Sequence, residues 1–403
     1  MRKKSWWKTL RAFLGAIGPG IFLVGYNIGT GSITTMAATG AAYGMALVWP
    51  LLLSCLFTFV LIVAFGRYTA ITGNTALYSF KTHVGKGVAL FVLVSLLFTE
   101  FVSSMGVMAI VTQTVQEWSR PLTASGEGFN TIVLALVFGT LIYLLFLKGQ
   151  YRFFENILML FVGFMGLSFL LTTLMVIPEP GEVLKGLIPR LPPESNAALL
   201  IAGMAGTTMG GVLYVIRSIV VKEKGWTLQD VKLERRDAFI SALLMFLLSL
   251  AIMVSAAGTL HPRGLRVENA IDMVRLLEPL AGRFALSMFV AGIVSAGLSS
   301  LFPIALLAPW LLADYLNTER DLRSRRSRGM VLFVVSLGLV VPVFGGQPVL
   351  VMIASQALMT VITPLIILLM LIVQNKKSVM GDHTPSRAIN VAMVLIFLFS
   401  IDH

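Results

Sequence analysis

Two short runs place glycines beside hydroxyl, amide and thioether side chains: Asn27-Ile28-Gly29-Thr30-Gly31-Ser32 and Gly206-Thr207-Thr208-Met209-Gly210-Gly211. Each lies in the middle of a long apolar segment. Glycine costs a helix interior about 1 kcal/mol, and backbone freed from a helix inside a bilayer is tolerated only where protein or a water-filled cavity satisfies it. The paired runs therefore read as two broken helices that meet at a substrate site near the bilayer midplane. Asn27, Gly29, Thr30, Gly31, Ser32, Thr207, Thr208, Met209, Gly210 and Gly211 are the candidate binding residues. Close helix packing through small residues is the competing explanation for the glycines.

Neither run contains an acid, a histidine or a cysteine. A dehydrated divalent cation needs several hard oxygen ligands, usually with carboxylates among them, so no side chain is assigned as a metal ligand. Half-helices starting at about Ser32 and Val212 would present unpaired N–H groups and positive dipole ends, each contributing roughly 0.3–2 kcal/mol toward an anion. The hydroxyls of Thr30, Ser32, Thr207 and Thr208 add donors. On these residues the expected substrate is a small anion or polar solute, such as bicarbonate or a short carboxylate. The alternative is a hydrated divalent ion, Mg²⁺ or Mn²⁺-like, held by hydroxyls and carbonyls. Met209 either packs or offers a thioether to a transition metal.

Ionisable residues at membrane depth are functional candidates, and two stand out. Glu100 either carries a coupling ion or is a neutral structural acid; Arg217 attracts an anion, pairs with an acid, or snorkels to the cytoplasmic side. Arg152, Glu155 and Asp314 lie near segment ends and read as structural or gating contacts. Gln347-Pro348 and Ser355-Gln356 either line the path or are satisfied within the bundle. All four histidines fall in loops or at the terminus, and no nucleotide-binding loop or Ser-His-Asp layout is present, so neither ATP-driven transport nor enzyme activity is expected.

The elements that position these residues follow from composition. Of 403 residues, 57% are hydrophobic and 12% charged, and the mean hydropathy is +0.88, far too apolar for a soluble surface. Eleven apolar runs approach or exceed the length needed to span a bilayer: 14–43, 46–71, 87–116, 130–148, 153–177, 196–221, 237–259, 284–315, 329–344, 349–373 and 387–401. The net charge of +12 is topological. With the N-terminus inside, 23 of the 31 Lys and Arg residues fall on the inner side, as the positive-inside rule requires, which leaves no case for nucleic acid. The basic, apolar start is broken by Gly18-Pro19-Gly20 and reads as a retained first span rather than a leader. The lone Cys55 lies in an apolar run and reads as packing. Residues 222–236 read as a solvated cytoplasmic connection, and Val267–Leu280 as an amphipathic outer helix. Spans 1–5 and 6–10 form two halves, each opening on a glycine break; because five is odd, the second half is inverted.

Several motifs, in this order, resemble the Nramp family of divalent metal-ion transporters over nearly the whole chain. They are Gly18-Pro19-Gly20, Arg67-Tyr68-Thr69-Ala70-Ile71-Thr72-Gly73, Arg152 with Glu155, Val183-Leu184-Lys185-Gly186 and Ala296-Gly297-Leu298-Ser299-Ser300. The resemblance implies a LeuT-type inverted repeat and metal transport. Yet the family's Asp-Pro-Gly-Asn falls on Gly29-Thr30-Gly31-Ser32, and its Met-Pro-His, followed by a Ser matching Ser218, falls on Gly210-Gly211-Val212. Its helix 3 acids persist as Glu100 but are lost at Val107 and Ile110, and Ser336 replaces an expected Arg.

The expectation is thus an all-α integral membrane transporter with about 11 spans in a 5+5 inverted repeat. It forms a single domain over 1–403, with spans 1–5 over 14–177, spans 6–10 over 196–373 and an accessory helix at 387–401. It is expected to work by alternating access, with H⁺ or Na⁺ as a possible coupling ion, the lipid bilayer as its surroundings and no cofactor. The expected location is a bacterial inner membrane, with the N-terminus cytoplasmic.

Overall fold

The computed structural model describes residues 18–147, 180–192, 197–267 and 278–401, with scattered positions between 156 and 174. Among these, helices are the regular structure and no strand occurs. Arg152, Glu155, much of the fifth expected span and most of the outer amphipathic segment lie outside the described residues.

The first span is two helices, α1 (Gly18–Asn27) and α2 (Thr30–Tyr43). Then come α3 (Val48–Thr72), the short α4 (Ala76–His83), α5 (Lys86–Ser119) and α6 (Thr131–Leu147). The sixth span is again two helices, α7 (Ala197–Met209) and α8 (Gly211–Glu223). After it run α9 (Val231–Thr259), α10 (Glu278–Leu316), α11 (Arg325–Leu337), α12 (Val340–Phe344), α13 (Pro348–Gln374) and α14 (Arg387–Ile401). Among the described residues seven helical stretches are long and apolar enough to cross a membrane, two of them made of α7 with α8 and of α11 with α12; α6 and α14 are shorter apolar helices.

Burial follows the logic of a lipid solvent, in which polar groups must be satisfied inside the protein. Asn27, Thr30, Ser32, Thr34, Thr35, Thr39 and Thr58 are buried, whereas Val133, Leu136, Val137 and Leu144 of α6 are exposed. The broken spans form the centre: α7 packs on α3 and α13, α8 on α3 and α1, α2 on α9, and α5 on α10 and α13.

Two boundaries differ from expectation. The second half-helices begin at Thr30 and Gly211 rather than at Ser32 and Val212, so only Ile28, Gly29 and Gly210 leave the helix. The stretch 231–236, expected as solvated connection, is the first turn and a half of α9. Glu234 and the adjoining Asp237 are 0% exposed there because Arg217 of α8 pairs with both, Nη2 to Glu234 Oε1 at 3.0 Å and Nη1 to Asp237 Oδ2 at 2.5 Å.

Candidate functional site

A helix end leaves its last carbonyls without intrahelical partners, and the polar side chains of the two breaks are spent on these. Asn27 closes α1 and donates from Nδ2 to the carbonyls of Thr207 (2.7 Å) and Thr208 (3.4 Å) at the end of α7. Thr58 Oγ1 of α3 donates to the same Thr208 carbonyl at 2.7 Å. The Ser32 hydroxyl donates to the Asn27 carbonyl at 2.5 Å and lies 2.6 Å from Thr207 Oγ1. Ser300 of α10 donates to the Tyr26 carbonyl at 3.2 Å. The Gly211 N–H at the start of α8 donates to Thr363 Oγ1 of α13 at 2.8 Å. Each break is thus satisfied by the other and by α3, α10 and α13.

Where the breaks meet there is a small cavity, with about 20 Å³ open to the centre of a water molecule. That is room for about one water-sized particle. Asn27, Gly29, Gly31, Thr207 and Gly210 line it, together with Tyr26, Ser300, Met352, Gln356 and Met359. Two carbonyl-type oxygens here are unpaired: Asn27 Oδ1 has no partner among the described residues, and neither has Glu100 Oε2. Glu100 is 1% exposed on α5 and accepts from the Tyr26 hydroxyl at 2.6 Å. Tyr26 therefore links this carboxylate to the cavity wall. The thioethers of Met352 and Met359 add two soft acceptors beside Thr30 Oγ1 (3.9 Å) and the Tyr26 hydroxyl (4.0 Å).

Not every candidate reaches the cavity. Met209 lines a separate crevice with Thr360, Thr363, Phe399 and Ser400, because the break follows it and its side chain turns toward α14. The Thr208 hydroxyl bonds back to the Met204 carbonyl at 2.6 Å. Gly211 lies against Thr363 and Ile366. Arg217 is wholly buried in its ion cluster, with its guanidinium over the Trp226 ring at 5.6 Å. Asp314 is likewise tied down, accepting from Thr75 Oγ1 at 2.6 Å and from Arg320 at 3.1 Å. Reading the sequence missed Tyr26, Ser300, Met352 and Met359 as cavity residues. A signal was present for the methionines: positions 352, 356 and 359 share one face of α13 at i, i+4 and i+7.

The comparisons with known proteins agree with this architecture. The chain matches the family described as natural resistance-associated macrophage protein-like over residues 20–401. It is similar to the divalent metal cation transporter MntH of Levilactobacillus brevis, 26% identical over 98% of this chain and 89% of that one. It is also similar to MntH of Klebsiella pneumoniae, 25% identical over 94% and 90%. Among solved structures, a mutant of the Eremococcus coleocola manganese transporter superposes with a TM-score of 0.76 at 13% identity, over 100% of this chain and 87% of that one. A nucleobase-cation-symport-1 family transporter in a closed conformation gives 0.63 at 15%, over 96% and 92%. The fold is thus the LeuT-type inverted repeat.

The expected anion substrate does not survive. The relatives matched over nearly their whole length are named divalent metal cation transporters. The geometry agrees: the Ser32 and Thr207 hydroxyls and the Gly211 N–H, counted as anion donors, are already engaged, whereas Asn27 Oδ1 on a cavity-lining residue is an unpaired acceptor. The motifs, the paired helix breaks and a match running from residue 20 to residue 401 lead to one assignment: the chain belongs to the Nramp family of membrane transporters.

Proposed function

We propose that this protein is a secondary transporter of divalent metal cations that works by alternating access around the two helix breaks. The observation that carries this reading is the cavity between Asn27, Gly29, Gly31, Thr207 and Gly210, where Asn27 Oδ1 is an acceptor with no partner among the described residues. The names of the relatives support the same substrate class. Among the described residues no carboxylate lines the cavity; Glu100 stands behind its wall, one hydrogen bond away through the lining residue Tyr26. That chain gives Glu100 the role of coupling residue, exchanging a proton or Na⁺ as the cation enters. Arg217 acts as a structural counter-ion to Glu234 and Asp237. The protein sits in a bacterial inner membrane with its N-terminus cytoplasmic, in keeping with the distribution of Lys and Arg.

The test is uptake by proteoliposomes across a panel of Mn²⁺, Mg²⁺, bicarbonate and short carboxylates. Saturable Mn²⁺ uptake with no bicarbonate uptake is expected; uptake of no divalent cation in the panel sinks the reading. Glu100→Gln is expected to keep Mn²⁺ binding but to lose the dependence of uptake on an imposed pH or Na⁺ gradient. A variant whose gradient dependence is unchanged removes Glu100 from coupling.

A further inference from the structure

We propose that the start of α9 is a headgroup site for an anionic phospholipid, in which Lys232, Arg235 and Arg236 hold the phosphate and the rings of Phe59 and Phe239 seat an acyl chain. The inference does not depend on which ion the protein transports. These five residues line an open groove between α3 and α9, with about 500 Å³ open to the centre of a water molecule. Phe59 and Phe239 meet edge to face in it, their ring centroids 6.0 Å apart and their planes at 86°.

Charge decides what the groove takes. Lys232 stands three and four residues before Arg235 and Arg236, so the three are neighbours on the helix surface, where like charges repel. All three are exposed. The acids close to them in sequence give no relief. Asp230 accepts from the Thr227 N–H at 2.9 Å and its hydroxyl at 3.2 Å, while Glu234 and Asp237 turn inward to Arg217. Among the described residues the groove is therefore lined by three cations and no acid, and the compensating charge comes from outside the chain. Basic clusters beside a membrane span attract anionic lipids in this way.

The shape of the surface selects a lipid over a soluble anion. Soluble ligands are held in clefts that bury most of their surface, and this groove is open on one side, as suits a molecule that the bilayer already holds. Lys232, Arg236, Phe239, Leu243 and Leu247 recur at helical spacing on one exposed stripe of α9, while Glu234, Asp237, Ser241, Met245 and Leu248 fill the buried face opposite. The stripe thus passes from cations to apolar side chains along a helix long and apolar enough to cross a membrane. From Arg236 to Leu247 the helix rises about 16 Å, roughly half the thickness of a bilayer's hydrocarbon core and so the depth of one leaflet.

The test is native mass spectrometry of the full-length protein, stripped of lipid in detergent and titrated with phosphatidylglycerol or phosphatidylcholine. The wild type is expected to bind phosphatidylglycerol in preference, and an excess of inorganic phosphate should not displace it; neither measurement needs a variant to fold. Lys232→Gln with Arg235→Gln and Arg236→Gln should lower phosphatidylglycerol affinity about tenfold or more and leave phosphatidylcholine binding unchanged. Phe239→Ala should also weaken phosphatidylglycerol. Neutralising the exposed Arg323, Arg325 and Arg328 in the same way serves as the control and should leave the affinity as it was. Equal binding of the two lipids by the wild type overturns the proposal, as does displacement by inorganic phosphate, which would make the groove a site for soluble anions. An equal loss in the control variant also overturns it, since the attraction would then belong to the basic surface as a whole.

Discussion

Asn27 joins the two breaks: its amide nitrogen holds the end of α7 while its oxygen has no partner among the described residues. Asn27→Ala removes two donor contacts, each contributing about 0.5–1.5 kcal/mol. Thermal unfolding in detergent should show a loss of about 1–3 kcal/mol, and Mn²⁺ uptake should fall more than tenfold. Gly29 shows a different constraint. A Cβ there would stand 1.7 Å from Ser300 Oγ and 2.7 Å from Ser300 Cβ. Gly29→Asp, which restores the family's acid, should therefore fail alone and recover stability when combined with Ser300→Gly. Asn27, Gly29, Gly31, Thr207 and Gly210 were legible because a glycine break in an apolar run has few other uses. The direction of each hydrogen bond was not, since Ser32 and Thr207 read as free donors until each is seen to face the other. Ser300 and Met352 were invisible for a similar reason: they come from spans with no break.

At the scale of helices, hydropathy located every described span, and α14 begins and ends where the apolar run does. It missed the start of α9, since the partner that makes Glu234 and Asp237 acceptable inside is Arg217, on another helix. Contact between α7 and α13 depends on Gly206, where a Cβ would come within 2.1 Å of the Gln356 carbonyl oxygen. Gly206→Ala should push the two helices apart and lower both the melting temperature and the uptake rate. Gly31→Val acts differently, because its Cβ would meet the Gln356 amide nitrogen at 2.5 Å beside the cavity. It should abolish uptake, whereas a purely packing role for Gly31 would leave transport in the protein that still folds.

For the whole molecule, the orientation proposed from the distribution of Lys and Arg is open to a direct labelling test. Cys55 is buried, so it should contribute little labelling background. A cysteine at exposed Lys232 should react with an impermeant maleimide only from the cytoplasmic side, and one at exposed Glu127 only from the opposite side. Arg217→Met should destabilise the protein by about 3–5 kcal/mol, since it strands two buried carboxylates, and thermal unfolding measures this. The same cluster has a mechanical consequence. Asp237 of α9 accepts from Arg217 of α8 and, at 3.1 Å, from the Gly20 N–H of α1, while Gly66 of α3 lies against Glu234 and Arg217. One half-helix of each broken span is thus fastened to a single carboxylate, and parting them would leave charges unpaired in an apolar interior. Four segments should swing as one lever: spin labels on α1 and α9 should keep their separation between inward- and outward-facing states, while either label moves relative to α10.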